Sequence, residues 1–185
     1  MSHSLNRRVF TRGALVASVG GLSACSASDP LEDVAEPLGD FRLGLTIVVP
    51  DNVRKVPPSR DASQDELKTT LESEIDRRFR RYDGPRVYHI AVALDGYSLA
   101  PPGIPVVLTP RSIMVITANI WTADPQEKIL GPEQIVTFEG AETLLLGSGL
   151  VKTAEEQLAT LSRNTASKIE NWMRANGSAF DIGDV

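Results

Sequence analysis

FRLGLTIVV, residues 41–49, sets Phe41, Leu43, Leu45, Ile47 and Val49 in alternation with Arg42, Gly44, Thr46 and Val48. A period of two with β-branched residues predicts a strand, and Pro50 ends it. A polar stretch with Pro57 and Pro58 follows, and Ser63-Gln64-Asp65-Glu66 then has the spacing of a capping box, in which a serine and a glutamate satisfy orphan backbone donors. Leu67, Leu71, Ile75, Phe79 and Tyr82 fall on one helical stripe. Acids at its start and Arg77, Arg78, Arg80 and Arg81 at its end suit the helix dipole.

Two further strands are expected at Arg86 to Leu94 and Ser112 to Trp121, separated by the proline-rich YSLAPPGIPVVLTP. Short strands around Lys128 to Leu130 and Ile135 to Phe138 follow a turn at Ala123-Asp124-Pro125-Gln126. Thr153-Ala154-Glu155-Glu156 opens a second helix with another capping box. Its stripe runs through Leu158, Leu161, Thr165, Ile169, Trp172 and Met173, and Asn176-Gly177 closes it. The order β-α-β-β-β-α predicts an α+β fold: an antiparallel sheet of four to five strands with two helices on one face. A single domain is expected over 41–177, followed by an acidic tail at 178–185.

Upstream, residues 25–40 mix Ser, Pro, acids and small residues and read as a flexible linker. Before it, Arg7, Arg8 and Arg12 stand without an acid, followed by the short, glycine-rich apolar run GALVASVGGL. Basic start, apolar run and small residues before a cysteine form the layout of an export signal over 1–24. The run is about half the roughly 20 residues that a membrane-spanning helix needs.

Asn6-Arg7-Arg8-Val9-Phe10-Thr11-Arg12 resembles the twin-arginine export motif, through Arg7, Arg8 and Phe10 and a positive charge at Arg12. Asn6 and Thr11 depart from it, so general secretory export is the alternative. Leu22-Ser23-Ala24-Cys25 resembles a bacterial lipobox at all four positions. That resemblance implies cleavage before Cys25, a diacylglycerol thioether on its sulfur, and transient contact with an export translocase and lipoprotein-processing enzymes. Two or three acyl chains give a stable tether where one holds only marginally. Ser26 in place of an aspartate implies, again by resemblance, the periplasmic face of the outer membrane. The whole layout resembles small alphaproteobacterial-type lipoproteins and, more distantly, envelope accessory lipoproteins.

Net charge is −5, and residues 25–185 carry 24 acids against 16 bases. Such a body is repelled by phosphate backbones, so nucleic acid is not an expected partner. Cys25 is the sole cysteine, so no disulfide forms within the molecule. His89 is the one histidine outside the leader, which excludes a His/Cys zinc cage and reads as a structural histidine on a strand. Gly147-Ser148-Gly149-Leu150-Val151-Lys152-Thr153 imitates a phosphate loop, yet positions 146 and 151 are leucine and valine where glycines are required. No catalytic, metal or cofactor residue emerges, and no cofactor is expected. The leading expectation is a non-enzymatic, lipid-anchored envelope protein that binds a protein partner through loops, such as 100–105, or through a sheet edge. A carboxylate hydrolase of the envelope and a periplasmic small-ligand or lipid binder are the alternatives.

Overall fold

The computed structural model describes residues 35–101, 112–139 and 152–181. They form β1 (Phe41–Val49), β2 (Arg54–Lys55), α1 (Gln64–Phe79), β3 (Arg86–Ser98), β4 (Ile113–Thr122), β5 (Lys128–Phe138), α2 (Ala154–Ala175) and a 3₁₀ turn at Gly177–Phe180. The sheet runs β1-β3-β4-β5, with the two-residue β2 also paired to β3. The fold is α+β as expected, with a mostly antiparallel sheet. One pairing departs from the expectation: β1 lies parallel to β3. The physical reason is the connection, because a strand that returns through a helix enters its neighbour in the same direction, whereas tight turns reverse it. β3, β4 and β5 then meander antiparallel.

Both helices start where their capping boxes predict. Ser63 and Thr153 accept from the backbone N–H of Glu66 and Glu156, whose carboxylates take the cap N–H in return. The apolar stripes of α1 and α2 pack on one face of the sheet. Leu67, Leu71, Ile75 and Phe79 of α1, with Leu161, Ile169 and Met173 of α2, bury against Tyr88, Ile90, Val92 and Leu94 of β3 and Met114, Ile116, Ala118 and Ile120 of β4. Burial of each such side chain contributes about 1.5–3 kcal/mol, so this seam dominates stability. Phe41 stacks on Tyr88 at 5.4 Å, and Phe180 meets the edges of both rings at 6.0 and 5.5 Å. Leu38 and Phe180 are fully buried, so the packed body reaches past 41–177 at both ends.

The decisive local feature is in β1. Leu43 pairs with Tyr88 and Thr46 with Ile90, so Gly44 and Leu45 together oppose the single residue His89. That is a β-bulge, and a bulge exchanges the two faces of the strand beyond it. A Cβ at Gly44 would stand 2.6 Å from Val87 Cγ1 and 2.7 Å from His89 Nδ1. Only glycine fits. The freed Leu45 N–H donates to His89 Nδ1 at 3.0 Å. In consequence Phe41, Leu43 and Val48 face the helices, while Leu45, Ile47 and Val49 turn to the opposite face and are exposed.

β3 runs on to Ser98, past a second irregularity at Asp95, whose carboxylate accepts from Thr117 Oγ1 at 2.7 Å. β5 is one strand where two were expected. It passes through Gly131 at φ +96°, where a Cβ would lie 2.5 Å from the Ala118 carbonyl oxygen. A glycine there lets the chain bend where the register shifts, between the pairs Ala118–Glu133 and Ile120–Leu130.

Candidate functional site

The lipidation and export residues Cys25, Arg7, Arg8, Phe10, Leu22, Ser23 and Ala24 lie outside the described residues, as do 102–111 and 140–151 with Gly147 and Gly149. His89 is placed as a structural group: its Nδ1 is taken by the Leu45 N–H, which fixes the bulge. Thr153, last residue of the phosphate-loop imitation, is the cap of α2. Arg77, Arg78, Arg80 and Arg81 each face a carboxylate, of Glu74, Glu170, Asp76 and Glu170 respectively. Of these, Arg78 and Arg81 reach Glu170 of α2 and so join the two helices, while the pairs of Arg77 and Arg80 stay on their own helix.

What the structure assembles instead is an open sheet face. Register partners share a face, which places Ile47 and Val49 of β1 beside Ala91 and Ala93 of β3. Ala91 and Ala93 sit beside Asn119 and Thr117 of β4, and His89 beside Trp121. Ile113 and Val115 of β4 sit beside Phe138 and Val136 of β5. Leu45, Ile47, Val49, Val136 and Phe138 are 38% to 57% exposed. Among the described residues no element covers this face. Four strands about 4.8 Å apart, over some seven residues of about 3.3 Å rise, give a footprint on the order of 500 Å². A footprint of that size matches the largest surface patch of an ordinary monomer, about 300–600 Å² and often functional.

Its charged residues are Arg42 beside Val87, Lys128 beside Trp121, Arg54 beside Gly96, and Asp95, which accepts from Thr117. Asn119, Thr117 and Gln134 form a polar band across the middle, between the apolar groups of β1 and those of Ile113, Val115, Val136 and Phe138.

The edges of the sheet, by contrast, are partly occupied. The Val48 N–H donates to Glu72 Oε1 of α1 at 3.3 Å. At the other side Lys168 Nζ and Asn164 Nδ2 of α2 donate to the carbonyls of Val136 and Phe138 at 2.6 and 3.2 Å. Helix side chains that take up strand-edge backbone groups discourage addition of a further strand.

Two polar clusters lie elsewhere. Glu170 of α2, 7% exposed at its side chain, receives Arg78 at 2.8 Å and Arg81 at 2.9 Å and binds the Tyr82 hydroxyl. Burial by itself would raise the Glu170 carboxyl, but the hydrogen bonds from Tyr82 and Arg81 and the charge of Arg78 outweigh it and hold the group below the usual carboxylate range. Burial, with Glu170 alongside, pushes the Tyr82 hydroxyl up. Arg174 adds a hydrogen bond to Tyr82 and others to the carbonyls of Glu36 and Pro37, which pins the chain just before β1. This cluster is a brace between α1, α2 and the entering chain.

The second is a cleft of about 290 Å³ between the helix N-termini, lined by Asp61, Glu66 and Glu155 among others. Asp61 bridges Lys55. Glu66 is committed to the Ser63 cap, whose hydrogen bonds hold it below the usual range, so it is not a proton donor at neutral pH. Asp61 and Glu66 are thus each engaged by a neighbouring group, and Glu155 completes the acidic lining. Among the described residues no group of three His, Cys, Asp or Glu side chains is gathered about a point that could hold a metal.

No family model matches the chain. No curated protein matches it either. Solved structures similar to it include a DUF330 protein of Xanthomonas campestris, 12% identical over 79% of this chain and 91% of that one, with a TM-score of 0.48. The PelC dodecamer of Paraburkholderia phytofirmans is 9% identical over 72% and 90%, with a TM-score of 0.40. A provisionally named lipoprotein of Caulobacter crescentus is 9% identical over 71% and 94%, with a TM-score of 0.39.

A strict period of two hides the open face, because it puts Phe41, Leu43, Leu45, Ile47 and Val49 together on one side. Two signals of it are present in the sequence. Gly44 sits inside a strand pattern, where glycine marks a bulge, and Ile47-Val48-Val49 is an unbroken apolar run that serves both faces.

Proposed function

We propose that this chain is a non-catalytic accessory protein of the bacterial cell envelope, moored by lipid on Cys25, which binds a protein through its open sheet face. The observation that carries the binding reading is the uncovered apolar face of β1, β3, β4 and β5. The mooring is supported by the sequence alone: Leu22-Ser23-Ala24-Cys25 after a short apolar run and paired arginines. The Glu170 carboxylate is tied up in its ion pairs with Arg78 and Arg81, and Asp61 of the acidic cleft is bridged to Lys55.

Docking would remove about 500 Å² of this chain's surface and a like area of the partner's from water, against about 4–15 kcal/mol lost in association. The test is photo-crosslinking in intact cells from a photoreactive residue at Ile47 or Val136, with Gln64 on the helix side as the control. Adducts of defined mass from the two face positions and none from Gln64 are the expected result. Equal labelling from all three, or none, rejects docking on this face. Palmitate-analogue labelling of the wild type, absent in Cys25→Ser, tests the mooring independently.

A further inference from the structure

We infer that the protein bound across the open face is an acidic one, whose Asp and Glu side chains meet Arg42, Arg54 and Lys128 around an apolar contact. This rests on the docking reading above and names the chemistry of the partner. Three observations carry it.

The first is a reversal of sign. Residues 25–185 carry 24 acids against 16 bases. On the open face the strand registers set Arg42, Arg54 and Lys128 against one acid, Asp95, which is committed to Thr117 Oγ1 at 2.7 Å. The acids of β5 and its entry take the helix side of the sheet: Glu133 is paired with Ala118, and Glu127 is held opposite Thr122. Asp51 and Asp124 belong to the turns beyond the strands. A cationic face on an acidic body attracts an acidic surface there and repels it elsewhere, which fixes the orientation of docking.

The second is that these cations are not used within the molecule. Arg42 has only a 4.0 Å contact to Asp83, whose side chain is 94% exposed, and among the described residues Arg54 and Lys128 have no ion-pair partner. The arginines of α1 and its C-terminal end are the contrast, since Arg77, Arg78, Arg80 and Arg81 each face a carboxylate.

The third is placement. Arg42 on β1 and Lys128 on β5 flank the end of the face where β3 begins, three strand spacings or about 14 Å apart. Arg54 stands beside Gly96, about 30 Å further along β3 than the level of Arg42. Both separations exceed the screening length of about 8 Å at physiological salt, so each cation calls for an acid of its own. Asn119, Thr117 and Gln134 cross the middle of the face with polar groups that a hydrocarbon surface leaves unmet and a protein can pair. A second copy laid face to face would bring cations against a face of the same sign, which is disfavoured.

Photo-crosslinking from Ile47 in intact cells, with the adducts sequenced by mass spectrometry, tests this in the wild type and in Arg42→Glu with Arg54→Glu and Lys128→Glu. The expected adduct joins a different polypeptide at a segment in which Asp and Glu outnumber Lys and Arg. Its yield should fall about tenfold in the triple variant and survive Arg42→Lys with Arg54→Lys, which keeps the charge. The melting temperature of the triple variant should stay near that of the wild type, because all three side chains lie on the surface. In isolated wild-type envelopes, which need no variant, the yield should fall as sodium chloride rises from about 50 to about 500 mM. An adduct at a neutral or basic segment or to a second copy, or a yield indifferent to both charge reversal and salt, would overturn the acidic partner while docking of a protein on the face stands. Adducts to lipid alone, or none from either Ile47 or Val136, would overturn both.

Discussion

Replacing Glu170 by glutamine should cost the fold about 3 kcal/mol, because breaking a buried ion pair from one side leaves the other charge uncompensated. The figure follows from burial. Arg78 keeps only 10% of its side chain in solvent and Arg81 is largely covered, so neither guanidinium recovers its hydration when the carboxylate is lost. Glutamine keeps the shape and can still accept from Tyr82, so the loss is electrostatic rather than a matter of volume. For a body of this size about 3 kcal/mol lowers the melting temperature by roughly 6–12 °C. Thermal and urea unfolding followed by circular dichroism at pH 7 measure it. The pH dependence supplies a second check. Glu170 is depressed in the folded state, so its contribution is complete above the ordinary carboxylate value of about 4.3 and is lost as pH falls through the folded value. The gap between wild type and Glu170→Gln should therefore be constant above about pH 5 and close under more acidic conditions. A variant within about 1 kcal/mol of wild type at pH 7 would refute the reasoning, as would a gap that persists unchanged in acid.

Leu71→Ala, at the fully buried centre of α1, should cost about 2–5 kcal/mol, whereas Ile47→Ser on the open face should cost under about 1 kcal/mol; urea midpoints of the two variants compare them directly. Gly44→Ala should destabilise by about 1–3 kcal/mol, since its Cβ displaces Val87 and His89 and strips the Leu45 N–H of its acceptor, and His89→Ala in the same chain should recover part of that loss. Thr153→Ala should cost about 1 kcal/mol through loss of the α2 cap, measurable as faster amide exchange in the first turn of that helix.

How much of this was legible in advance depended on whether the signal was local. The caps at Ser63 and Thr153 are written within four residues each, and the stripes Leu67-Leu71-Ile75-Phe79 and Leu158-Leu161-Ile169-Met173 within single helices, so both helices stand as read. The partners of a strand are not written locally. Alternation in 41–49 says that a strand forms, yet not that it pairs parallel with β3, nor that a bulge at Gly44 turns its second half over. The Glu170 brace joins residues about 90 apart in the chain, and no spacing announces it. The open face is composed of residues from four strands, and becomes visible only when their registers are known. The sequence suggests loops or a sheet edge as a docking place, and helix side chains take up part of the edge.

The chain has two tryptophans, and they report on opposite layers: Trp121 on the open face, Trp172 on α2. Oxidative footprinting of the protein in native envelopes and in dilute detergent solution measures both at once. Burial of the face in a complex predicts that modification of Trp121 and Phe138 falls several-fold in the envelope while that of Trp172 is unchanged. Equal modification of Trp121 in the two settings would contradict the proposal that this sheet face binds a protein.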